Sequence, residues 1–250
     1  MVMQLTLVKK EEITKGLAVF KFKTEKNLEF IPGQYVTLIA EIEGRRVLRP
    51  YSIASAPYQL PEIEFFVRYV LKDNKPGLFT SKLFNAKPGK KFETLKLAGM
   101  FLLDENDKRT KIFLASGTGL GPFISMIRHE IRKYGKSNSI VVHGVSRVSD
   151  LGYRKEIEKY VKGGKLRSYI PTISRPEENK KWKGETGRVE NILGKLEKIL
   201  KVKITKDKYV VYACGHPNMV DTAANYYKKL GFAENKDVKF ERYWSEPKKN

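Results

Sequence analysis

The chain has 250 residues, 41% of them hydrophobic, which is material for two ordinary cores rather than one. Its longest apolar runs, at 112–115 and 209–214, fall far short of the roughly 20 residues a membrane helix needs, and Met1-Val2-Met3-Gln4-Leu5 lacks the zones of a signal peptide, so no membrane and a cytoplasmic location are expected. The single cysteine, Cys214, excludes an internal disulfide framework and any cysteine-ligated cluster or zinc site, and a formal net charge of +21 predicts acidic partners.

Up to about residue 98 the apolar residues recur with period two: Leu5 and Leu7; Ala18, Phe20 and Phe22; Val36, Leu38 and Ala40; Ile63, Phe65, Val67 and Tyr69. Half-buried strands have this rhythm, and the turn signals Pro32-Gly33, Asp73-Asn74 and Pro88-Gly89 favour an antiparallel barrel or sandwich. One short helix interrupts after Pro76-Gly77, with Leu78, Leu83 and Phe84 expected on one face. Within this half Arg49-Pro50-Tyr51-Ser52 places a cation, a flat ring and a hydroxyl on four residues of extended backbone. Such groups suit a flavin nucleotide: Arg forks onto phosphate, Tyr lies on a planar ring, and Ser hydrogen-bonds its edge. The end of an ordinary amphipathic strand carries the same letters.

From Lys111 onward short apolar strands alternate with helical stretches: strands at 112–115, 140–145, 168–173, 209–214 and 238–240, helices at 122–133, 153–161, 189–200 and 219–230. Alternation of this kind predicts a parallel sheet with right-handed crossovers. The polar segment Asp104-Glu105-Asn106-Asp107 marks the boundary, giving domains of 1–104 and 105–250. The first strand runs into Ser116-Gly117-Thr118-Gly119-Leu120-Gly121-Pro122, with Pro122 opening the helix. A glycine turn before a helix N-terminus suits a pyrophosphate, although proline replaces the third glycine of the usual dinucleotide fingerprint. Cys214-Gly215-His216-Pro217-Asn218-Met219 closes another strand, and in open parallel sheets ligands gather beyond such carboxyl ends. A lone cysteine is also commonly just a small buried side chain.

Arg49-Pro50-Tyr51-Ser52, Gly117-Thr118-Gly119-Leu120-Gly121-Pro122 and Cys214 to Met219, in that order and spacing, resemble ferredoxin-NADP reductase of the bacterial, FAD-containing type. Phe30-Ile31-Pro32-Gly33-Gln34-Tyr35 and Gly77-Leu78-Phe79-Thr80-Ser81 extend the likeness, as does the ending Phe240-Glu241-Arg242-Tyr243-Trp244. The resemblance implies an antiparallel β-barrel domain for FAD followed by an α/β domain with a parallel five-stranded sheet for NADP. By that likeness Arg49 grips the FAD pyrophosphate, Tyr51 stacks on the flavin, and Ser52 lies near N5. Pro50 belongs to the same motif, and Phe66, Val67 and Arg68 run beside the cofactor. Gly77, Phe79, Thr80 and Ser81 belong to a helix facing the pyrophosphate. Gly117 and Gly119 approach a pyrophosphate, Cys214 lies across the nicotinamide site, and Thr118, Pro122, Gly215 and Met219 are further cofactor-binding residues. Tyr243 covers the other flavin face, Trp244 stacks on adenine, and Glu241 arranges the nicotinamide and relays protons. Ser52, Cys214, Glu241 and Tyr243 form the expected catalytic set, and no metal is expected.

NADH sites of this architecture usually carry an acid after the second strand to bind ribose, whereas here Ser146-Arg147 follows it. Arg175 and Arg188 stand at positions resembling those that hold the adenosine 2′-phosphate. Two charge-assisted contacts of about 1.5–3 kcal/mol each predict a preference for NADPH of roughly a hundredfold or more. The expected activity moves electrons between NADPH and an acidic carrier, ferredoxin or flavodoxin, with a monomer expected. A flavin or quinone reductase, or the reductase component of an oxygenase, is the alternative on the same two domains. The lysines are scattered and accompany no nucleic-acid-binding signature, so no nucleic-acid partner is expected.

Overall fold

The structure, a computed structural model, describes residues 3–25, 28–69, 71–72 and 75–243. Cα packing divides it into two compact units, Met1–Leu103 with Gly121–His129, and Asp104–Leu120 with Glu130–Asn250.

In the first unit the strands are β1 (Met3–Thr14), β2 (Leu17–Thr24), β3 (Tyr35–Ile42), β4 (Arg45–Ser52), β5 (Glu62–Arg68), the short β6 (Leu71–Lys72) and β7 (Lys75–Pro76), and β8 (Lys91–Thr94). Six of them form one sheet in the order β4-β3-β8-β1-β2-β5, with every neighbouring pair antiparallel. An antiparallel bridge between Ile53 and Phe65 links the end of β4 to β5 and curls the sheet into a half-barrel. The period-two residues fill it: Leu5, Leu7, Phe20, Phe22, Val36, Leu38, Ile63 and Phe65 are all essentially inaccessible. Phe22 is the hub, with ring centroids 5.5 Å from Phe65 and 5.8 Å from Phe92. Helix α1 (Leu78–Phe84) plugs one end through Phe79, Leu83 and Phe84. Leu78 is 54% exposed, so the expected face shifts by one residue, because Phe79 and Leu83 are the i, i+4 pair that meets the core.

The second unit contains β9 (Thr110–Ser116), α2 (Gly121–Tyr134), β10 (Ser137–Val145), α3 (Arg154–Lys162), β11 (Leu166–Ile173), β12 (Glu185–Thr186), α4 (Val189–Leu193), α5 (Leu196–Leu200), β13 (Tyr209–Gly215), α6 (Pro217–Lys229) and β14 (Val238–Arg242), α2 being shared with the first. Its sheet is wholly parallel in the order β12-β11-β10-β9-β13-β14. Six strands replace the expected five, because Glu185-Thr186 adds a two-residue edge beside Thr172-Ile173 that has no apolar run to betray it. The helix expected over 189–200 is two helices. Gly194 ends α4 and Lys195 leaves helical geometry before α5 begins, whereas the apolar spacing runs on across the break. Between β9 and α2 the glycines form a single 3-10 turn, Gly117–Leu120.

Two ion clusters, one buried and one partly buried, tie distant segments together. In the first unit Arg128 of α2 meets Glu64 of β5 at 2.6 Å, and Ser125 donates to the Ser55 carbonyl at 2.6 Å. In the second, Arg109 contacts Asp107 and Asp237, each at 2.6 Å, and donates to the Lys206 carbonyl at 2.7 Å. Burial by itself would raise the Asp107 and Asp237 pKa values. Hydrogen bonds from Arg109, and for Asp237 from the Ala233 N–H, outweigh it and hold both below the ordinary range. Depressed native values mean stability that is present above the unfolded pKa of about 4 and is lost as pH falls through the lower native values. Arg109→Met is therefore expected to cost about 3 kcal/mol near neutral pH by leaving Asp237 buried and unpaired. The deficit should close in acid, as read by urea denaturation at both pH values; a deficit independent of pH would rule the cluster out as its source.

Candidate functional site

In the first unit β4 is an edge strand paired only with β3. Arg49, Pro50 and Leu48 are exposed, Leu48 by 41%. An uncovered edge carrying an apolar side chain is a liability unless something lies on it. Arg49 donates to the Leu48 carbonyl at 2.7 Å, and no carboxylate pairs with it among the described residues. The Tyr51 ring turns inward, its centroid 5.9 Å from Phe79 and 6.0 Å from Phe65. Burial pushes the Tyr51 phenol pKa up, with the Arg49 charge opposing, so Tyr51 presents a neutral ring. Ser52 closes β4 opposite Tyr35.

The other residues expected beside the flavin nucleotide lie on β5 and α1. Tyr69 hydrogen-bonds Ser81 of α1 at 2.7 Å, and Thr80 donates to the Gly77 carbonyl at 3.1 Å. Val67 packs inside the barrel core, leaving only its backbone for a cofactor, while Phe66 alternates to the other side of β5 and Arg68 is exposed. A guanidinium with no carboxylate partner among the described residues, an exposed edge and a supported aromatic ring fit a flavin nucleotide in charge and shape.

In the second unit the chain runs β9, β10, β11 in one direction and then resumes with β13 and β14 on the far side of β9. The switch point therefore lies at the carboxyl ends of β9 and β13, where ligands bind in open α/β sheets. These ends touch. A Cβ on Gly119 would sit 2.2 Å from the Cys214 carbonyl oxygen, and one on Gly215 would sit 2.3 Å from the Ser116 hydroxyl. Ser116 Oγ instead accepts the His216 N–H at 2.8 Å. Gly119 is thus glycine because another strand passes against it, whereas Gly117, at φ +56 and in open space, is glycine for the turn itself. Thr118 is half-buried, and Pro122 lies buried in the first turn of α2.

Cys214 is fully buried, paired in register with Glu241, and its Sγ lies 4.0 Å from Glu241 Oε2. Burial, and then the negative charge of Glu241, push the thiol pKa well up, so Cys214 is a neutral S–H donor and not a thiolate nucleophile. The Tyr243 N–H donates to the Gly215 carbonyl at 2.9 Å, carrying the strand pairing past β14. Ser116, Cys214, Gly215, Glu241 and Tyr243 are therefore brought together. Met219 is not among them, because it packs in the core at 2% exposure. Trp244 lies outside the described residues.

Arg175 and Arg188 are both exposed. The Gly187 N–H donates to the Ile173 carbonyl at 2.8 Å, which anchors the chain at Arg188 beside the strand end that leads to Arg175. Arg188 has no carboxylate partner among the described residues, whereas Arg147 and Arg175 both reach Glu178. Sequence reasoning missed Glu178, three residues after Arg175, and it missed His143. The His143 side chain is fully buried, with Nε2 3.0 Å from the Gly117 carbonyl oxygen and Nδ1 3.3 Å from the Tyr169 hydroxyl, so it braces the glycine turn. A histidine inside the apolar run 140–145 was the available signal, since a buried ring of that kind must find partners.

A flavin-fitting edge strand on a curled antiparallel sheet, and a glycine turn at the switch point of a parallel one, define a two-domain flavoprotein oxidoreductase. Family models agree: residues 4–99 match an oxidoreductase FAD-binding domain and residues 113–225 an oxidoreductase NAD-binding domain. The chain is 33% identical over 202 residues to a flavodoxin/ferredoxin-NADP reductase of Shigella flexneri, covering 77% of each, and it belongs to the ferredoxin-NADP reductase family. FAD and NADP are accordingly the cofactors of its family. It is also 27% identical over 210 residues to the anthranilate 1,2-dioxygenase electron transfer component of Acinetobacter baylyi, covering 84% of this chain and 57% of that one. In fold it is similar to a ferredoxin NADP+ reductase from Neisseria gonorrhoeae solved with FAD and NADP, with a TM-score of 0.85 at 20% identity, covering 97% of this chain and 99% of that one. No helix among the described residues is long and apolar enough to cross a membrane.

The contact between the strand ends makes the two turn glycines unequal. Gly119→Ala is expected to cost about 1–3 kcal/mol and to weaken NADP binding more than tenfold, because a backbone carbonyl must move. Gly117→Ala meets only the left-handed backbone penalty of about 1–2 kcal/mol. Thermal melts and NADP titrations on both variants check the order; a larger loss of NADP binding at Gly117 would contradict the close approach.

Proposed function

We propose that this protein passes electrons between NADPH and a separate acidic one-electron carrier, ferredoxin or flavodoxin. The observation that carries the reading is Cys214. It is the single cysteine of the chain, and it is a buried, neutral member of the nucleotide site, so these 250 residues ligate no iron-sulfur cluster of their own. Bound FAD supplies the conversion between two-electron hydride chemistry and one-electron transfer.

The protein's part is positioning. Arg49 would hold the FAD pyrophosphate, Tyr51 would pack against the flavin ring, and Ser52 would offer it a hydrogen bond. Gly117, Thr118 and Gly119 present backbone to the NADP pyrophosphate. The neutral Cys214 would pack against the nicotinamide and exclude water, the Glu241 carboxylate would help to arrange it and relay protons, and Tyr243 would lie where it enters. Arg175 and Arg188 take the 2′-phosphate through charge-assisted bonds. The excess of cations steers an acidic carrier to the protein.

A reductase component feeding an oxygenase is the second reading, favoured by the likeness to the anthranilate 1,2-dioxygenase electron transfer component. Steady-state reduction of ferredoxin and flavodoxin with NADPH decides between them. Turnover that falls as ionic strength rises is expected; no turnover with either carrier would end the leading reading, and insensitivity to salt would end the steering.

Arg175→Ala combined with Arg188→Ala should raise the KM for NADPH by roughly a hundredfold and leave that for NADH nearly unchanged. Equal effects on both would refute the 2′-phosphate role. Cys214→Ala should slow flavin reduction with FAD still bound, as followed by stopped-flow absorbance.

A further inference from the structure

Glu178 has no part in the roles above, yet two arginines converge on it. Arg147 Nε meets its Oε2, and Arg175 Nη1 lies 3.4 Å from its Oε1. Arg147 and Arg175 follow the ends of β10 and β11, and the two loops are stitched together by backbone. The Arg175 N–H donates to the Ser146 carbonyl at 3.1 Å. Asn179 accepts the Val148 N–H at 3.2 Å and donates to the Arg175 carbonyl at 2.9 Å. The Glu178 carboxyl is held below the ordinary range, first by the hydrogen bond from Arg147. All three side chains are between 38% and 50% exposed, so the carboxylate is free to swing into water.

A carboxylate between two guanidinium groups occupies a position that suits a phosphate equally well, because both anions offer oxygens to the same forked donors. We propose that Glu178 is an internal competitor for the adenosine 2′-phosphate: it holds Arg147 and Arg175 together when no nucleotide is bound and must leave when a 2′-phosphorylated nucleotide arrives. The proposal rests on the reading that Arg175 and Arg188 form the 2′-phosphate site. While Glu178 is in place the two cations do not repel one another, so the loops keep their geometry. A phosphate with nearly two negative charges displaces a carboxylate with one, and the exposed ion pairs are weak enough to yield. A nucleotide without the 2′-phosphate leaves Glu178 where it is. Glu178 therefore lowers the affinity for NADPH and not for NADH, which narrows the preference the arginines create.

Calorimetric titration of the FAD-loaded protein with adenosine 2′,5′-bisphosphate and with adenosine 5′-diphosphate tests this without turnover. Glu178→Gln is expected to tighten the bisphosphate about three- to tenfold at low salt and to leave the 5′-diphosphate unchanged. The gain should shrink at high salt, where exposed pairs are screened. Unchanged or weaker bisphosphate binding in Glu178→Gln, with Arg175→Ala/Arg188→Ala still selectively weakening it, would overturn the competitor role and leave the 2′-phosphate site standing. If the arginine variant weakened both ligands equally, the 2′-phosphate site itself would fall and the competitor with it.

Discussion

The nucleotide half of the molecule depends on one steric fact: the turn after β9 and the end of β13 run in backbone contact. Where Gly119 faces the Cys214 carbonyl and Gly215 faces Ser116 there is no room for a Cβ. That contact does three things at once. It fixes the glycine turn at the carboxyl end of the sheet, it buries Cys214 completely, and it brings the Ser116 hydroxyl to the His216 N–H at the start of α6. The protonation state of Cys214 follows from it, since a thiol sealed from water beside a carboxylate stays neutral. From the other side, His143 holds the turn through the Gly117 carbonyl.

Charge is handled differently inside and outside. The buried and partly buried groups are paired and given further hydrogen bonds: Arg128 with Glu64, Lys111 with Glu130, and the half-buried Arg109 with two aspartates and a carbonyl. These clusters join segments far apart in sequence, and removing one partner leaves a stranded charge. Outside, cations outnumber acids, and Arg49 and Arg188, which pair with no carboxylate among the described residues, are both ones whose positions resemble phosphate ligands. Arg147 and Arg175 spend their charge on Glu178 instead, and the same rule of paired charges explains both arrangements.

Much of the fold was legible because periodicity reports which face of an element is buried. Leu5, Leu7, Phe20, Phe22, Val36, Leu38, Ile63 and Phe65 alternate in the chain and meet in one core. The failures have local causes. Leu78 looked apolar enough to face inward, but the helix turns so that Phe79 does. The helix over 189–200 breaks at Gly194 although its apolar spacing continues. The strand Glu185-Thr186 is too short and polar to show a pattern, and it exists because β11 offers it an edge. Of the expected site residues, Gly119, Cys214 and Glu241 come together, whereas the side chains of Val67 and Met219 lie in cores.

By itself the sequence determined the division into an antiparallel half and a parallel half, the family, and the residue types available to hold two nucleotides. Those depend on local patterns, on residues a few positions apart. Only the tertiary structure decided that Cys214 is a neutral neighbour of Glu241, that Gly119 yields to a passing strand rather than to its own turn, and that Glu178 sits between two arginines from separate loops. Each of these is a contact between chain segments distant in sequence, and burial, charge pairing and steric exclusion act only once folding has brought such segments within a few ångströms.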